Sequence, residues 1–108
     1  MLKKERAVTE KERHRVKPKQ VERPVIVCTA HRGVFFGYAS ETDGESIFLK
    51  RSRLCIYWSA DIRGFMGLAA MGPNSSCKIG PPADITIRSI TAVLEVTPEA
   101  EMKWNAAK

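Results

Sequence analysis

The feature that most constrains the fold of this chain is the segment from Pro24 to Trp58, in which four short apolar runs are separated by tight polar stretches. Apolar runs of this length, bounded by turn-forming residues, are typical of β-strands. Neighbouring strands joined by such short connections must run antiparallel, because parallel strands need long crossovers. The segment therefore predicts a compact antiparallel β-meander, and it indicates no particular reaction.

The first two strands are predicted on either side of the turn His31 to Gly33. Val25 to Ala30 is a continuous apolar run, and from Val34 to Ala39 successive side chains alternate between two faces. We expect Gly33 to adopt a positive φ in the turn. Gly37, in the middle of its strand, is expected to mark a bend or a close approach of another backbone.

A third strand is predicted after the hairpin turn Glu41 to Gly44. Its apolar residues share one face before the basic stretch Lys50 to Arg53 and another face after it, so this stretch is interpreted as a bulge or a turn. A short helix follows with Asp61 as its N-cap. Its apolar residues recur at near-helical spacing: Ile62, Phe65, Met66 and Ala69. Gly72 to Ala83, rich in Gly, Pro, Asn and Ser, is interpreted as a loop.

The last third of the chain returns to the strand pattern. The apolar residues Ile85 and Ile87 have odd numbers, whereas the alternating apolar residues from Ile90 to Val96 have even numbers. One strand must therefore end at Arg88-Ser89 and another begin, or a bulge must intervene, because a one-residue step moves side chains to the opposite face.

A C-terminal helix is predicted to begin at Thr97-Pro98, because threonine is a favourable N-cap and proline fits the first turn. Met102 and Trp104 are its expected contacts with the rest of the protein. The core is expected to come from apolar strand residues: Val25, Val27, Val34, Phe36, Ile47, Leu49, Leu54, Ile56, Ile87, Ile90, Leu94 and Val96.

Five strands of this length, with a bent second strand and a one-residue step between the last two, predict a mainly β fold. The predicted architecture is a small five-stranded SH3-like or Sm-like barrel with one short inserted helix and a C-terminal helix. The segment Arg32 to Leu49 resembles the first half of an Sm motif. Ile87 to Ile90 stands where that motif has Ile-Arg-Gly-Asn, so the Asn that the family uses on RNA has no counterpart here.

Residues 1–23 form a basic segment that differs from the rest of the chain. They hold nine of the eighteen Lys and Arg residues and four acids, a net charge of +5, whereas residues 24–108 have a net charge of +1. The few apolar residues of this segment cannot offset the entropy cost of ordering it. We therefore expect a flexible arm over residues 1–23 and a folded β-barrel domain over residues 24–108.

The arm is expected to bind nucleic acid through phosphates, because Lys and Arg on a flexible segment give salt-sensitive, sequence-independent affinity. No aromatic residue lies among these charges, so base stacking by the arm is not expected. The alternative is a solubilising extension, or a start codon placed upstream of Pro24. The expected phosphate contacts are Lys3, Lys4, Arg6, Lys11, Arg13, Arg15, Lys17 and Lys19.

A second candidate site follows the third strand. Cationic and amide side chains there would surround an anionic ligand if the loop after residue 72 folds back, and an aromatic ring would stack on a base. The alternative is structural, with Trp58 in the core, Asp61 as a helix cap and Arg63 solvated. The candidate ligand-binding residues are Tyr57, Trp58, Arg63, Asn74 and Lys78.

No catalytic residue, metal or cofactor is expected. Cys28 and His31 form one close pair, whereas a zinc site needs four converging ligands. Cys28 and Cys55 are better explained as small buried apolar residues, and no glycine-rich phosphate-binding motif occurs. Three cysteines, an odd number, fit a reducing compartment. No apolar run approaches the roughly 20 residues of a membrane-spanning helix.

The sequence resembles a family of small proteins of tailed phages and prophages over nearly all of residues 24–104. The resemblance lies in three stretches: Val27 to Tyr38, Tyr57 to Gly64, and Gly72 to Asn74. It implies a phage origin and a location in the cytoplasm of the bacterial host. That family is described as a domain of unknown function, so the resemblance implies no catalytic residues.

These observations predict a non-enzymatic phage accessory protein, a small oligomeric β-barrel that binds nucleic acid through its basic arm. The alternative is an interaction protein, a host-takeover or anti-defence factor that binds a host protein or sequesters a small nucleotide. Removal of residues 1–23 separates the two hypotheses, because only the first requires the arm. No membrane partner is expected under either.

We predict that the protein is a homo-oligomer. A small sheet leaves edge strands unpaired, and the run from Ile90 to Val96 is long and apolar. Pairing of edge strands between copies, in a dimer or a ring, would cover these backbone groups. Light scattering at low micromolar concentration should give a mass above that of one chain, and a clean monomer mass would contradict the prediction.

Overall fold

The computed structural model describes residues 21–108 of the chain. No helix among these residues combines the length and apolar character needed to cross a membrane. The elements are, in chain order, β1 (Arg23–Thr29), β2 (Val34–Ala39), β3 (Ser46–Tyr57), a 3-10 helix (Ala60–Ile62), α1 (Gly64–Ala70), β4 (Lys78–Ile79), β5 (Ala83–Arg88), β6 (Ile90–Glu95) and α2 (Pro98–Ala106).

The strands form one antiparallel sheet in which β3 has the most partners. Each strand pairs with the next along the path β4-β3-β2-β1-β6, and β5 pairs with β3. The register places Ile47 opposite Ile87 on β5, and Cys55 opposite Ile79 on β4. The segment 78–88 therefore follows β3 along most of its length. A mainly β fold with two α-helices is confirmed.

Two details of the expected barrel are wrong. The described sheet has six strands, because the short strand β4 lies inside the stretch that was expected to be a loop. The sheet is also open, because no strand pairing links β5 to β6 within residues 21–108. Ser89, with a φ of 61°, separates these two strands. At this residue the chain leaves β3 and turns towards β1.

Both faces of the sheet are buried, which explains the continuous apolar run of β1. One face packs against the helices. This helix-side core includes Ile26, Phe36, Leu68 and Trp104. The other face is enclosed by the curl of the sheet itself. This sheet-side core consists of Val25, Val27, Ala39, Ile47, Leu49 and Ile87. Successive residues of β1 thus enter different cores, as the period of a strand requires.

The alternation expected for β2 is confirmed. Phe36 belongs to the helix-side core, while Phe35 packs against the sheet-side core. Gly37 lies where the register between β2 and β3 shifts. A Cβ at Gly37 would lie 3.1 Å from the Cβ of Leu49 and 3.2 Å from the Cα of Ser52. The expected close approach of another backbone at Gly37 is therefore confirmed.

A bulge in β3 determines which of its side chains are buried. Arg51 has a φ of 53°, and the register against β5 shifts between Leu49 and Ser52. Before the bulge, the odd-numbered residues of β3 point towards the sheet-side core. After the bulge, the even-numbered residues lie on that face. The bulge expected between Lys50 and Arg53 is confirmed.

Leu54 and Ile56 lie on the face of the sheet-side core but are not part of it. Their exposed fractions are 39% and 62%, so their assignment to the core is wrong. The reason is the length of β5, which begins at Ala83 opposite Ser52. The curled part of the sheet ends there, so it does not cover the side chains of β3 that follow Ser52 on this face. Ile90 and Leu94, also assigned to the core, are partly buried.

The turn between β1 and β2 takes its positive φ at Arg32 and not, as expected, at Gly33. Arg32 has a φ of 68°, and its N–H donates to the carbonyl of Thr29 at 3.1 Å. The N–H of Gly33 donates to the hydroxyl of Thr29 at 3.0 Å. A Cβ on Gly33 would lie 2.6 Å from the ring of Phe35, so space is what requires glycine here.

The inserted helix is divided in two by Arg63. This residue has a φ of 71°, ends the 3-10 helix and precedes α1. Asp61 therefore lies inside the 3-10 helix, and its assignment as the N-cap of a single helix is wrong. The division brings the carbonyl of Ile62 against Gly67, where a Cβ would overlap that oxygen.

The helix α2 begins as expected and is anchored by Trp104. The Thr97 hydroxyl accepts a hydrogen bond from the N–H of Ala100 at 3.1 Å, which confirms the cap. Trp104 is fully buried and stacks on Phe36 with ring centroids 5.0 Å apart. Met102, the other expected contact, is 72% exposed, so that expectation is wrong.

Arg53 is a buried cation that joins three parts of the chain. Its Nε donates to the carbonyl of Gly80 and its Nη1 donates to the carbonyl of Trp104, both at 2.8 Å. Hydrogen bonds from a charged donor are stronger than neutral ones. They offset part of the cost of removing the guanidinium from water. Arg53 thereby ties β3 to the segment after β4 and to α2.

We predict that Trp104→Ala lowers the free energy of unfolding by about 3–5 kcal/mol, as for other large-to-small changes of buried aromatic residues. The change removes the stacking on Phe36 and the hydrogen bond from the indole Nε1 to the carbonyl of Leu68. Urea unfolding followed by circular dichroism measures this loss. Met102→Ala, in the same helix, is the control and should change stability by less than about 0.5 kcal/mol. Equal losses for both variants would contradict the packing of α2.

Candidate functional site

The phosphate contacts expected in the arm, from Lys3 to Lys19, lie outside the described residues, so their role stays a prediction. Glu22 ties the start of the described chain to β3. Its carboxylate lies 3.0 Å from Nη2 of Arg51 and 3.4 Å from Nζ of Lys50. These contacts, chiefly the hydrogen bond from Arg51, hold the pKa of Glu22 below its ordinary value.

The described part of the chain has a nearly balanced surface charge. Residues 21–108 hold ten Lys and Arg residues and nine acids. Four of these cations pair with carboxylates of the same segment: Arg23, Lys50, Arg51 and Lys103. Five others have no ion pair within residues 21–108: Arg32, Arg63, Lys78, Arg88 and Lys108. Residues 21–108 therefore carry a net charge of only +1.

The structure brings together two of the five candidate ligand-binding residues. Tyr57 and Lys78 lie opposite each other on β3 and β4. Tyr57 is half exposed, whereas Trp58 is partly buried and packs against the helix-side core. Tyr57 thus keeps an open aromatic face beside a cation. Trp58 contributes to the core, as the structural alternative proposed.

Asn74 and Arg63 do not join Tyr57 and Lys78 in a common site. The Nδ2 of Asn74 donates to Asp61 at 3.0 Å, and its Oδ1 accepts from the N–H of Ser76 at 2.9 Å. Asn74 also lines a cavity of about 450 Å³ against the end of α2, together with Lys103 and other residues. Its polar atoms hold the loop in place. Arg63 is exposed at the junction of the two helical segments.

Sequence reasoning missed a groove of about 400 Å³ along β5. This volume lies within the range of about 300–1,000 Å³ that is usual for ligand pockets. Phe35, Leu54, Ile85 and Ile87 supply its apolar lining, and His31, Thr29, Gly33, Thr86 and Arg88 complete it. We call it the β5 groove. It combines an apolar floor with basic side chains at one end.

The β5 groove forms because the turn before β2 approaches the junction of β5 and β6. The N–H of Ala30 donates to the carbonyl of Ser89 at 2.8 Å, which joins the two segments. Leu54 then lies opposite Phe35 on the same face of the sheet. One sequence signal could have indicated this apolar surface. After a bulge at Lys50 to Arg53, the apolar residue Leu54 lies on the same face as Ile47 and Leu49.

Arg88 also lines a second cavity, of about 630 Å³, on the other side of the β5–β6 junction. Its lining includes Glu45 and Ser46 from the start of β3, and Ser89 and Ile90 after the junction. Arg88 thus stands between two concave surfaces. Glu45 is the acidic residue of this lining.

Several large apolar side chains are exposed between β3 and α1. Ile56 and Tyr57 are 62% and 51% exposed, and on α1 Met66 is 67% and Phe65 39% exposed. Single exposed apolar residues are common, but grouped ones mark interaction surfaces more often than chance. Ile56 and Tyr57 are successive residues of β3 and point to opposite faces of the sheet, so they do not form one patch. Phe65 and Met66 are neighbours on α1, and this helix is therefore the candidate surface for a protein partner.

The buried cysteines have no feature of a reactive site. Cys28 and Cys55 belong to the helix-side core. Burial raises the pKa of Cys28 above its ordinary value, and burial, with a smaller effect of Cys77, raises the pKa of Cys55 to about 11. Both groups therefore stay protonated near neutral pH, and the thiolate is the reactive form. Among residues 21–108, no group of three or more His, Cys, Asp and Glu side chains could hold a metal ion.

We predict that iodoacetamide at mildly alkaline pH alkylates Cys77 before Cys28 and Cys55, because Cys77 is only partly buried. The pKa of Cys55 is raised to about 11, so its thiolate fraction is small at mildly alkaline pH and its alkylation rate should keep increasing with pH until about 11. Mass spectrometry of proteolytic peptides measures each site. The urea-unfolded protein, in which all three should react at similar rates, is the control. Equal rates in the folded protein would contradict the burial of Cys55.

In the comparison with family models, residues 22–104 match a domain of unknown function named DUF6948. Neither the comparison with curated proteins nor that with solved structures gave a match. The matched residues include every strand and most of α2. They include the β5 groove and the surface around Tyr57, and they exclude the basic residues before position 22. The chain therefore belongs to the family of the domain of unknown function DUF6948.

Proposed function

We propose that the protein is a non-enzymatic binding protein that contacts nucleic acid through the basic residues of its arm. The observation that carries this proposal is the separation of charge along the chain. Residues 1–23 have a net charge of +5, and the rest of the chain has a net charge of +1. Positive charge concentrated in one segment is the usual source of salt-dependent affinity for phosphates.

The ion pairs of residues 21–108 support the proposal that the arm, and not the folded part, binds the phosphates. Four cations of the folded part are paired with carboxylates, and Arg53 donates to two backbone carbonyls. The folded part then acts as a carrier for the arm and for any partner of its own surfaces. The order of strands, with one residue between β5 and β6, supports an SH3-like relationship for this carrier.

The same proposal includes the origin and location of the protein. The resemblance of Val27 to Tyr38 to proteins of tailed phages and prophages supports an origin in a phage. A phage accessory protein would act in the cytoplasm of the bacterial host, where nucleic acid and host proteins are both accessible. Three free cysteines fit this reducing compartment.

A second candidate function is that of an interaction protein that binds a host protein or sequesters a small nucleotide. The exposed apolar side chains of Phe65 and Met66 on α1 favour a protein partner. The half-exposed ring of Tyr57 beside Lys78 favours a nucleotide, because the ring can stack on a base and the cation can bind a phosphate. In this function the arm is dispensable.

We predict that affinity for duplex DNA falls steeply with salt and depends on the arm. Each phosphate contact contributes a log–log slope of about −0.9, so eight arm cations give at most about −7. The test variant replaces those eight Lys and Arg residues with Gln in the full chain. Fluorescence anisotropy with a labelled duplex should show nearly complete loss of binding at low salt.

Two controls accompany this experiment. A chain with the residues of the arm in scrambled order keeps the charge and should keep the affinity, because the contacts are independent of sequence. Deletion of residues 1–20 leaves the Arg23–Glu95 ion pair and β1 intact and should abolish duplex binding without changing the melting temperature. Unchanged binding by the Gln variant would place the site on the folded part. An absence of binding by the natural chain at low salt would favour the interaction protein.

A further inference from the structure

We propose that the β5 groove binds an extended peptide segment of a partner protein, with apolar side chains at alternate positions and carboxylates between them. This site is independent of the arm and of the nucleic-acid proposal. Its lining shares no residue with the pair Tyr57 and Lys78 or with the cavity that Asn74 lines.

The first reason is an available strand edge. Within the described residues β5 pairs with β3 alone. Four consecutive residues of β5, from Ile85 to Arg88, line the groove. Side chains of successive strand residues point to opposite faces, so all four can line one groove only if the edge of the strand borders it. An edge of this kind accepts an extended peptide through main-chain hydrogen bonds.

The second reason is the apolar floor. Phe35, Leu54 and Ile85 leave apolar surface open at the point where the curl of the sheet ends. A peptide strand on the edge of β5 would direct every second side chain towards this floor. Burial of those side chains would stabilise the complex, because apolar surface would be removed from water.

The third reason is charge. Arg88 lines the groove, and Arg32 occupies the exposed turn between the lining residues His31 and Gly33. Neither arginine has an ion pair within residues 21–108, and the lining of the groove contains no Asp or Glu. Glu45 is the acidic residue on the far side of Arg88, in the neighbouring cavity. A partner with carboxylates therefore complements this site, and a basic segment such as residues 1–23 does not.

A nucleic acid would also meet the arginines, but the rest of the groove suits a peptide better. The lining has two aromatic rings, Phe35 and the imidazole of His31, and Phe35 packs against the sheet-side core. The remaining floor is aliphatic, whereas sequence-tolerant binding of single strands uses aromatic rings on which bases stack. Nucleic acid is therefore an alternative outcome of the test.

The experiment uses the full chain and a labelled peptide of four Glu-Val repeats as the probe. Fluorescence anisotropy measures its affinity, and a peptide of four Lys-Val repeats with the same apolar residues is the control. We expect the Glu-Val peptide to bind and the Lys-Val peptide to bind at least about tenfold more weakly. Amide shifts in an NMR titration should concentrate on β5 and on the turn at residues 30–33.

Two protein variants and two modified peptides locate the contacts. Arg88→Glu should weaken the Glu-Val peptide by about tenfold or more, while Lys108→Glu, with the same change of charge outside the groove, should leave it within about twofold. Circular dichroism checks that both variants fold. N-methylation of alternate amides in the peptide should abolish binding in one register and spare it in the other, because a strand offers alternate N–H groups to one edge.

Three results would overturn the proposal. The first is equal binding of the Glu-Val and Lys-Val peptides, or no binding of either. The second is that an oligothymidylate causes the shifts on β5 while the Glu-Val peptide does not, which would assign the groove to nucleic acid. The third is light scattering in which the natural chain is an oligomer and Arg88→Glu is a monomer, which would mean that a second copy covers the groove.

Discussion

The fold depends on the packing of Trp104 between the sheet and α1. Its ring stacks on Phe36, its Nε1 donates to the carbonyl of Leu68, and its own carbonyl accepts from Arg53. One residue thus joins β2, α1 and β3 at a point fully removed from water. All three contacts come from one residue, so its loss removes them together. Hydrogen bonds between Tyr38 on β2 and the α2 residues Glu101 and Asn105 also hold this helix on the sheet.

The bulge at Arg51 determines how β3 pairs with β4 and β5. It allows β3 to bend, so that its first half pairs with β5 and its second half with β4. The bend lets the sheet enclose a core on one face while the helices cover the other. The curl ends before the sheet closes, and the unpaired edge of β5 remains together with the apolar side chains beyond it. The same geometry that builds the sheet-side core therefore produces the groove.

The candidate functional features lie in different parts of the molecule. The positive charge lies before β1, the exposed apolar side chains lie around the end of β3, and the β5 groove lies at the open side of the sheet. Ion pairs such as Arg23–Glu95 keep the surface of the folded part close to neutral. The proposed contacts with a polyanion and with a peptide would use different residues and opposite charge, so the two proposals are compatible.

The sequence by itself determined five of the six described strands, the alternation in β2 and the cap at Thr97, because these depend on residues near each other in the chain. It missed the short strand β4. It did not reveal that Arg53 is buried or that Leu54 and Ile56 are exposed. Those outcomes depend on where β5 ends and on the carbonyls of Gly80 and Trp104. Only the tertiary structure decides them, because burial is set by what lies across the sheet, and the chain brings those partners from up to 51 positions away.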